Sequence, residues 1–318
     1  MCETFFYRKI RAIMRANHGP EDPFSAQKQS LLDHLRSPYE LHVLALLKSN
    51  APVSRAISQS LLGNKGDLSL HSVSASLDTV ASANCLTILS DQRAPALQLL
   101  HSTARVAIIL DNCGVELISD LMLAAMLLQS QSCASVHLLC KSRPVWVSDV
   151  LENDIHQHLA WAESQAFADH ETAAASAQFL GCIRAGLLAH RISIEPHEFL
   201  SGPEAFDDMP SDMVRLFRGC SLVICKGEHV LLVVICAAHH WPRLTCATGD
   251  ANYRRLLGDR HVPFDTPFAH LTDYFPAPLL ALRTCKAGLI CGVAADACAG
   301  AEPDWLVSGR NAVIQFKP

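Results

Sequence analysis

The sequence predicts an α/β protein: a three-layer sandwich with a mainly parallel central sheet, joined to an N-terminal helical layer. Three observations carry this. Short apolar runs at Val106–Leu110, Ser135–Cys140 and Ser221–Cys225 have the length and branching of strands buried on both faces. Segments with helical spacing separate them, and parallel strands need such crossovers. The first hundred residues read as helices and form a layer of their own.

Taken in order, Thr4–Ala16 reads as a helix, with Phe5, Ile10 and Ile13 apolar among basic residues. Asp22-Pro23-Phe24 marks a turn, and Ser25–Leu35, Glu40–Lys48 and Ser54–Leu62 follow as helices. Gly63-Asn64-Lys65-Gly66-Asp67 breaks the chain. It lacks the G-K-[ST] ending and the preceding strand of a nucleotide loop. Ala94–Leu100 is a short helix with Pro95 in its first turn. The organising stretch comes next, V-A-I-I-L-D-N-C-G-V-E-L-I-S-D at Val106–Asp120. A strand ends abruptly at Asp111-Asn112, and Val115, Leu117, Ile118, Leu121, Met122 and Ala125 then recur at helical spacing.

Beyond it, Ser135–Cys140 is a second parallel strand, and Lys141-Ser142-Arg143-Pro144 reads as a connection. Helices are expected at Asp149–Ala160, Glu171–Ala189, Ser211–Phe217, Asp250–Leu257 and Pro278–Lys286. Arg191–Glu195 alternates like a short strand, and Gly288–Cys291 and Ala312–Phe316 look like closing strands. The division is therefore a helical region over 1–100 and an α/β domain over 101–318.

Composition excludes several function classes. The 318 residues are 50% hydrophobic and 18% charged, enough to bury a large core. The net charge is −5, with Lys and Arg scattered, so no nucleic-acid footprint is present. The longest apolar run, Val230–Ala238, is too short to span a bilayer, and no apolar signal core follows Met1. A soluble cytoplasmic protein is expected, its oligomeric state open. The 13 Cys form no C-x-x-C pair, which argues against a zinc ribbon. The one adjacent histidine pair, His239-His240, reads as incidental, since two neighbouring histidines rarely share one metal without other ligands nearby.

Ligands of open α/β sheets bind outside the carboxyl ends of strands, where Asp111 and Asn112 stand. A carboxylate beside an amide oxygen suits a hard cation such as Mg²⁺ or Mn²⁺. The same pair before a helix also suits an N-cap. Asp149 follows the next strand and its connection. Successive parallel strands are usually neighbours, so Asp149 can share the rim with Asp111. It too has a capping alternative.

Several ordered motifs resemble the metal-dependent damage-control phosphatases, a family once grouped as domain of unknown function 89. They are D-N-C-G-V-E-L-I-S-D-L at Asp111–Leu121, G-N-K-G-D-L-S-L at Gly63–Leu70, P-V-W-V-S-D at Pro144–Asp149 and G-D-A-N-Y-R-R-L-L-G-D at Gly249–Asp259. R-T-C-K at Arg283–Lys286 resembles the R-T-x-K mark of the subfamily that includes sugar-phosphate phosphatases, and the ending W-L-V-S-G-R-N-A-V-I-Q-F is similar too. The resemblance implies a phosphatase acting on small phosphorylated sugars of the fructose 1-phosphate or fructose 6-phosphate type. Asp111, Asn112 and Asp149 would hold Mn²⁺ or Mg²⁺, with Co²⁺ or Ni²⁺ as alternatives. Asp111, Asn112, Glu116, Asp250, Ala251, Asn252, Tyr253 and Arg254 would line the substrate, and Lys286 would meet its phosphate. Physical chemistry agrees, because a helix opening at Asp250 offers free N–H groups to an anion and lysine is a point charge for phosphate. Glu116 is a candidate for taking the attacking water's proton; the alternative is a helix-surface carboxylate. One branch of the family is also credited with protein carboxyl methylation by S-adenosylmethionine, although no G-x-G-x-x-G loop follows a strand here.

Two departures stand out. In the family the strand ending in lysine-glycine runs straight into the substrate loop; here Glu228–Gly249 separates Lys226-Gly227 from Asp250. The insert reads either as a retained intron translated in frame or as an extra hairpin with Val230–Ala238 as a strand. The chain also opens inside the family's helical region, so the helical layer is expected to be incomplete. An inactive product is the reading these two departures would favour.

Overall fold

Seven strands form one sheet in the computed structural model, in the order β1-β7-β6-β5-β2-β3-β4. The structure describes residues 2–17, 21–47, 49, 51–63, 86–227, 251–294, 297 and 303–318. The insert 228–249, Asp250 and the segment after Gly63 up to Leu70 lie outside the described residues.

The strands are β1 Thr87–Asp91, β2 Arg105–Ile109, β3 Ser135–Lys141, β4 Ile192–His197, β5 Leu222–Gly227, β6 Leu279–Thr284 and β7 Asn311–Lys317. All pairings are parallel except β6 with β7. The helices are α1 Cys2–Ala16, α2 Ser25–Leu32, α3 Arg36–Leu47, α4 Pro52–Gly63, α5 Arg93–Leu97, α6 Val115–Gln129, α7 Glu152–Ser164, α8 His170–Leu188, α9 Ser211–Arg218, α10 Ala251–Leu256 and α11 Phe268–Leu271.

Alternation along β2 shows why there are three layers. Val106 and Ile108 enter a core shared with α3, α4, α6 and α8. Ala107 and Ile109 point the other way, into a core with Phe217 of α9, Tyr253 of α10 and Phe268 of α11. A strand apolar and buried from Val106 to Ile109 is what two covered faces require. β2 is central, and the chain moves from it first to β3 and β4, then back to β5 on its other side. This reversal opens a crevice at the carboxyl ends of β2 and β5.

Three expectations are corrected. Pro278–Lys286 is not a helix; Leu279–Thr284 is strand β6, buried at every residue between β5 and β7. Leu and Ala favour helix in isolation, but two flanking strands outweigh that preference. Gly288–Cys291 forms no strand. Thr87–Asp91, which carried no strand signal above, pairs with β7 at the sheet edge.

Candidate active site

Asp111 emerges where β2 ends, at the centre of an edge that β3, β5 and β6 share because they run parallel to it. The backbone brings the second acidic segment alongside. Val150 N–H donates to Asp111 O at 3.0 Å, Cys113 N–H to Ser148 O at 2.8 Å, and Lys141 N–H to Val150 O at 3.1 Å. Asn112 and Asp149 pair as an isolated antiparallel bridge. Neither aspartate caps a helix: the N-cap of α6 is Gly114 and that of α7 is Leu151. Both capping alternatives fail.

The side chains converge. Asp149 Oδ2 accepts from the N–H groups of Val145 at 2.9 Å and Trp146 at 2.8 Å, while its Oδ1 pairs with Lys141 Nζ. The same ammonium donates to Asp111 Oδ1 at 3.0 Å. Burial alone would lower the Lys141 pKa, but Asp149 and then Asp111 carry it above its ordinary value. Ser148 Oγ donates to Asn112 Oδ1 at 2.7 Å, and Asn112 Nδ2 donates to Glu116 Oε2 at 3.1 Å, so the amide has one consistent orientation.

Glu116 is no surface carboxylate; it is 2% exposed. Behind it lies Lys226, the penultimate residue of β5, whose Nζ is 3.2 Å from Glu116 Oε1, 3.1 Å from Asp120 Oδ1 and 2.6 Å from the carbonyl of Ser60 on α4. The Ser60 hydroxyl also donates to Asp120. Burial pushes Glu116 up to about 8 against the pull of Lys226, and it raises Asp120 as well. The helical layer comes this close because α4 ends in Gly63, where a Cβ would stand 2.8 Å from the Glu116 Cα.

The turn between Asn112 and α6 is anchored from the other side. Gly114 adopts φ +86°, a conformation that favours glycine. Its N–H donates at 2.8 Å to Nε2 of buried His158, whose Nδ1 is 2.7 Å from the Asp154 carbonyl. That arrangement requires a neutral imidazole protonated at Nδ1, in keeping with a pKa that burial lowers to about 4. Asp154 in turn pairs at 2.7 Å with Lys28 of α2. Phe24 packs with Val145 and Trp146, and Ile10 and Ala251 border the same cluster. The N-terminal helices therefore wall the rim.

The expected substrate residues are placed unevenly. Ala251 is half-buried beside Trp146. Asn252 is buried, and its Nδ2 has no hydrogen-bond partner among the described residues. Tyr253 serves as an anchor: its hydroxyl donates to Gln315 Oε1 at 2.7 Å and the Arg283 guanidinium lies 4.3 Å from its ring centroid. Arg254 makes a bidentate pair with Asp259, both distances 2.7 Å. Lys286 follows β6 on the shared edge, half-buried, with its Cε near Gly309. Lys141, Ser148, Asp120, His158 and Lys226 were not among the expected site residues. For the two lysines a signal existed: each directly follows an apolar run, Leu138–Cys140 and Leu222–Cys225.

The donor set fits a divalent cation. Two buried carboxylates, Asp111 and Asp149, meet the Asn112 amide oxygen at one rim, and such hard oxygen donors are the kind a divalent ion takes. No group of three or more His, Cys, Asp or Glu able to hold a metal occurs among the described residues. An ion at the rim would therefore take Asp111, Asp149 and the Asn112 amide oxygen, with water or substrate oxygens completing its shell.

Comparison with known proteins identifies the family. The family described as "Damage-control phosphatase ARMT1-like domain" matches residues 1–229 and 236–298. Damage-control phosphatase ARMT1 of Mus musculus is 31% identical over 347 residues, covering 99% of this chain and 73% of its own. The Danio rerio protein of the same name is 30% identical, covering 99% and 72%. A crystal structure of a DUF89 family protein from Pyrococcus horikoshii has a TM-score of 0.48 at 14% identity, covering 86% of this chain and 74% of that one. No helix among the described residues is long and apolar enough to cross a membrane. The ordered motifs, the matched family and relatives about 30% identical across nearly the whole chain make this chain a member of the damage-control phosphatase ARMT1-like family.

Proposed function

We propose that the chain is a metal-dependent phosphoric monoester hydrolase acting on small phosphorylated sugars of the fructose 1-phosphate or fructose 6-phosphate type. The observation that carries the reading is the pairing of Asp111-Asn112 with Asp149 at one rim, with both aspartates buried. Asp111, Asp149 and the Asn112 oxygen would hold Mn²⁺ or Mg²⁺, with Co²⁺ or Ni²⁺ as substitutes. When bound, such an ion polarises a phosphoryl oxygen and acidifies an attacking water.

The chain's own groups do the rest. Glu116 orients the Asn112 amide, and Lys226 holds Glu116 in place. Asn252 brings an unsatisfied buried donor that a substrate oxygen would satisfy. Lys286 would offer its charge to the phosphate. Trp146, packed with Phe24 and Ile10, borders the rim on the N-terminal side.

The test is a phosphate-release panel on fructose 1-phosphate, fructose 6-phosphate and related monoesters, with Mn²⁺, Mg²⁺, Co²⁺ or Ni²⁺. It is run on the chain with and without residues 228–249. Release that needs a divalent ion and stops on chelation is expected. Absence of metal-dependent release from every small phosphomonoester, in both forms, overturns the reading.

A further inference from the structure

Lys141 ends β3 with its side chain 3% exposed, and its ammonium contacts both rim carboxylates at once. It also lies 5.1 Å from the Trp146 ring centroid. Two buried carboxylates this close repel each other unless a cation stands between them. The position cannot drift, because Lys141 N–H is bonded to Val150 O within the same backbone zipper that carries Asp111 and Asp149. Lys226 is different: it spends one contact on the Ser60 carbonyl and serves Glu116 and Asp120, behind the rim. Lys141 thus pairs with both rim aspartates at once.

We propose that Lys141 is the resident counter-cation of the rim. It holds Asp111 and Asp149 in ligand geometry before a divalent ion arrives, and its fixed charge then weakens that ion's binding so that the ion stays exchangeable. The inference rests on the metal reading given above. Lys141 acts through the two aspartates and is a positioning residue. Because repulsion and preorganisation act on different states, removing the charge destabilises the metal-free protein while tightening the metal-bound one. A lysine that merely filled space would affect both states alike.

The experiment compares the full chain with Lys141→Met, Lys141→Arg, Asp149→Asn and the Lys141→Met/Asp149→Asn double variant. Thermal unfolding is followed with and without Mn²⁺, and Mn²⁺ binding is measured by calorimetry. Lys141→Met should lower the metal-free Tm by about 10 °C, the scale of an unpaired buried charge. Added Mn²⁺ should recover most of that loss, and Mn²⁺ should bind roughly threefold tighter or more than to wild type. The double variant should lose less than the sum of the two singles, and Lys141→Arg should bind Mn²⁺ no tighter than wild type. If Lys141→Met does not fold alone, refolding in Mn²⁺ should rescue it; failure of that rescue counts against the proposal. Equal Tm losses with and without Mn²⁺, or additivity in the double variant, overturn it. A wild-type chain that binds no Mn²⁺ sinks the metal reading and this inference together. Mn²⁺ binding without phosphate release sinks only the proposed reaction.

Discussion

Two clusters of the same composition, one lysine between two carboxylates, lie on either side of Asn112 and behave differently. At the rim, Asp149 is satisfied by two backbone N–H groups as well as by Lys141. Beneath it, Lys226 shares Glu116 and Asp120 with no backbone donor on either acid among the described contacts, and Asp120 Oδ2 has no hydrogen-bond partner among the described residues. Burial without backbone donors drives Glu116 and Asp120 toward their neutral form. The rim is built to present charge to a ligand, and the cluster beneath it is built to hold the Asn112 amide.

The largest test of that contrast removes a rim acid. Asp111→Ala or Asp149→Ala should abolish metal-dependent phosphate release, by about a thousandfold or more, the scale expected when a charge-stabilising group is lost. Initial rates at saturating Mn²⁺ check it, and a near-normal rate with full metal dependence would mean the site lies elsewhere. Next comes Lys226→Met, which strands two buried acids. Unfolding in urea should show a loss of about 3–5 kcal/mol. A loss below about 1 kcal/mol would show that Glu116 and Asp120 need no partner there.

A pH profile separates the clusters further. The Glu116 carboxyl is raised from 4.5 to about 8 in the folded protein. Between those values the folded chain binds the extra proton, so stability contributed by this group is present at low pH and declines as pH rises toward 8. In the metal-free protein, Glu116→Gln should flatten that decline, and an unchanged slope would remove Glu116 from the account. The smallest effect is expected at Arg254→Ala. Its pair with Asp259 is partly exposed, so stability should move by less than about 1 kcal/mol in equilibrium denaturation. A larger loss would give Arg254 a structural weight that its pair with Asp259 does not suggest.

Much of the site was legible in sequence because its signals are local. Val106–Leu110 is apolar at every step and stops at Asp111-Asn112, so strand, turn and helix follow from short-range pattern alone. Asp149 beside Asp111 needed only the rule that successive parallel strands neighbour one another. The misreadings share the opposite character. Leu279–Thr284 has a helix-forming composition and becomes a strand because β5 and β7 flank it. Glu116 looks like a helix-surface acid until α4 packs Gly63 onto its backbone.

The sequence by itself determined the layer pattern of the sheet, the acidic turn and the family, because apolar periodicity and ordered motifs are written along the chain. Only the tertiary structure decided which charges are buried together. Lys226 meets Asp120 across 106 residues and Ser60 across 166, and Lys28 meets Asp154 across 126. No local pattern encodes such meetings. They follow from how sheet and helices pack, and once water is excluded from the packed region each buried charge must find its partner there or lose its charge.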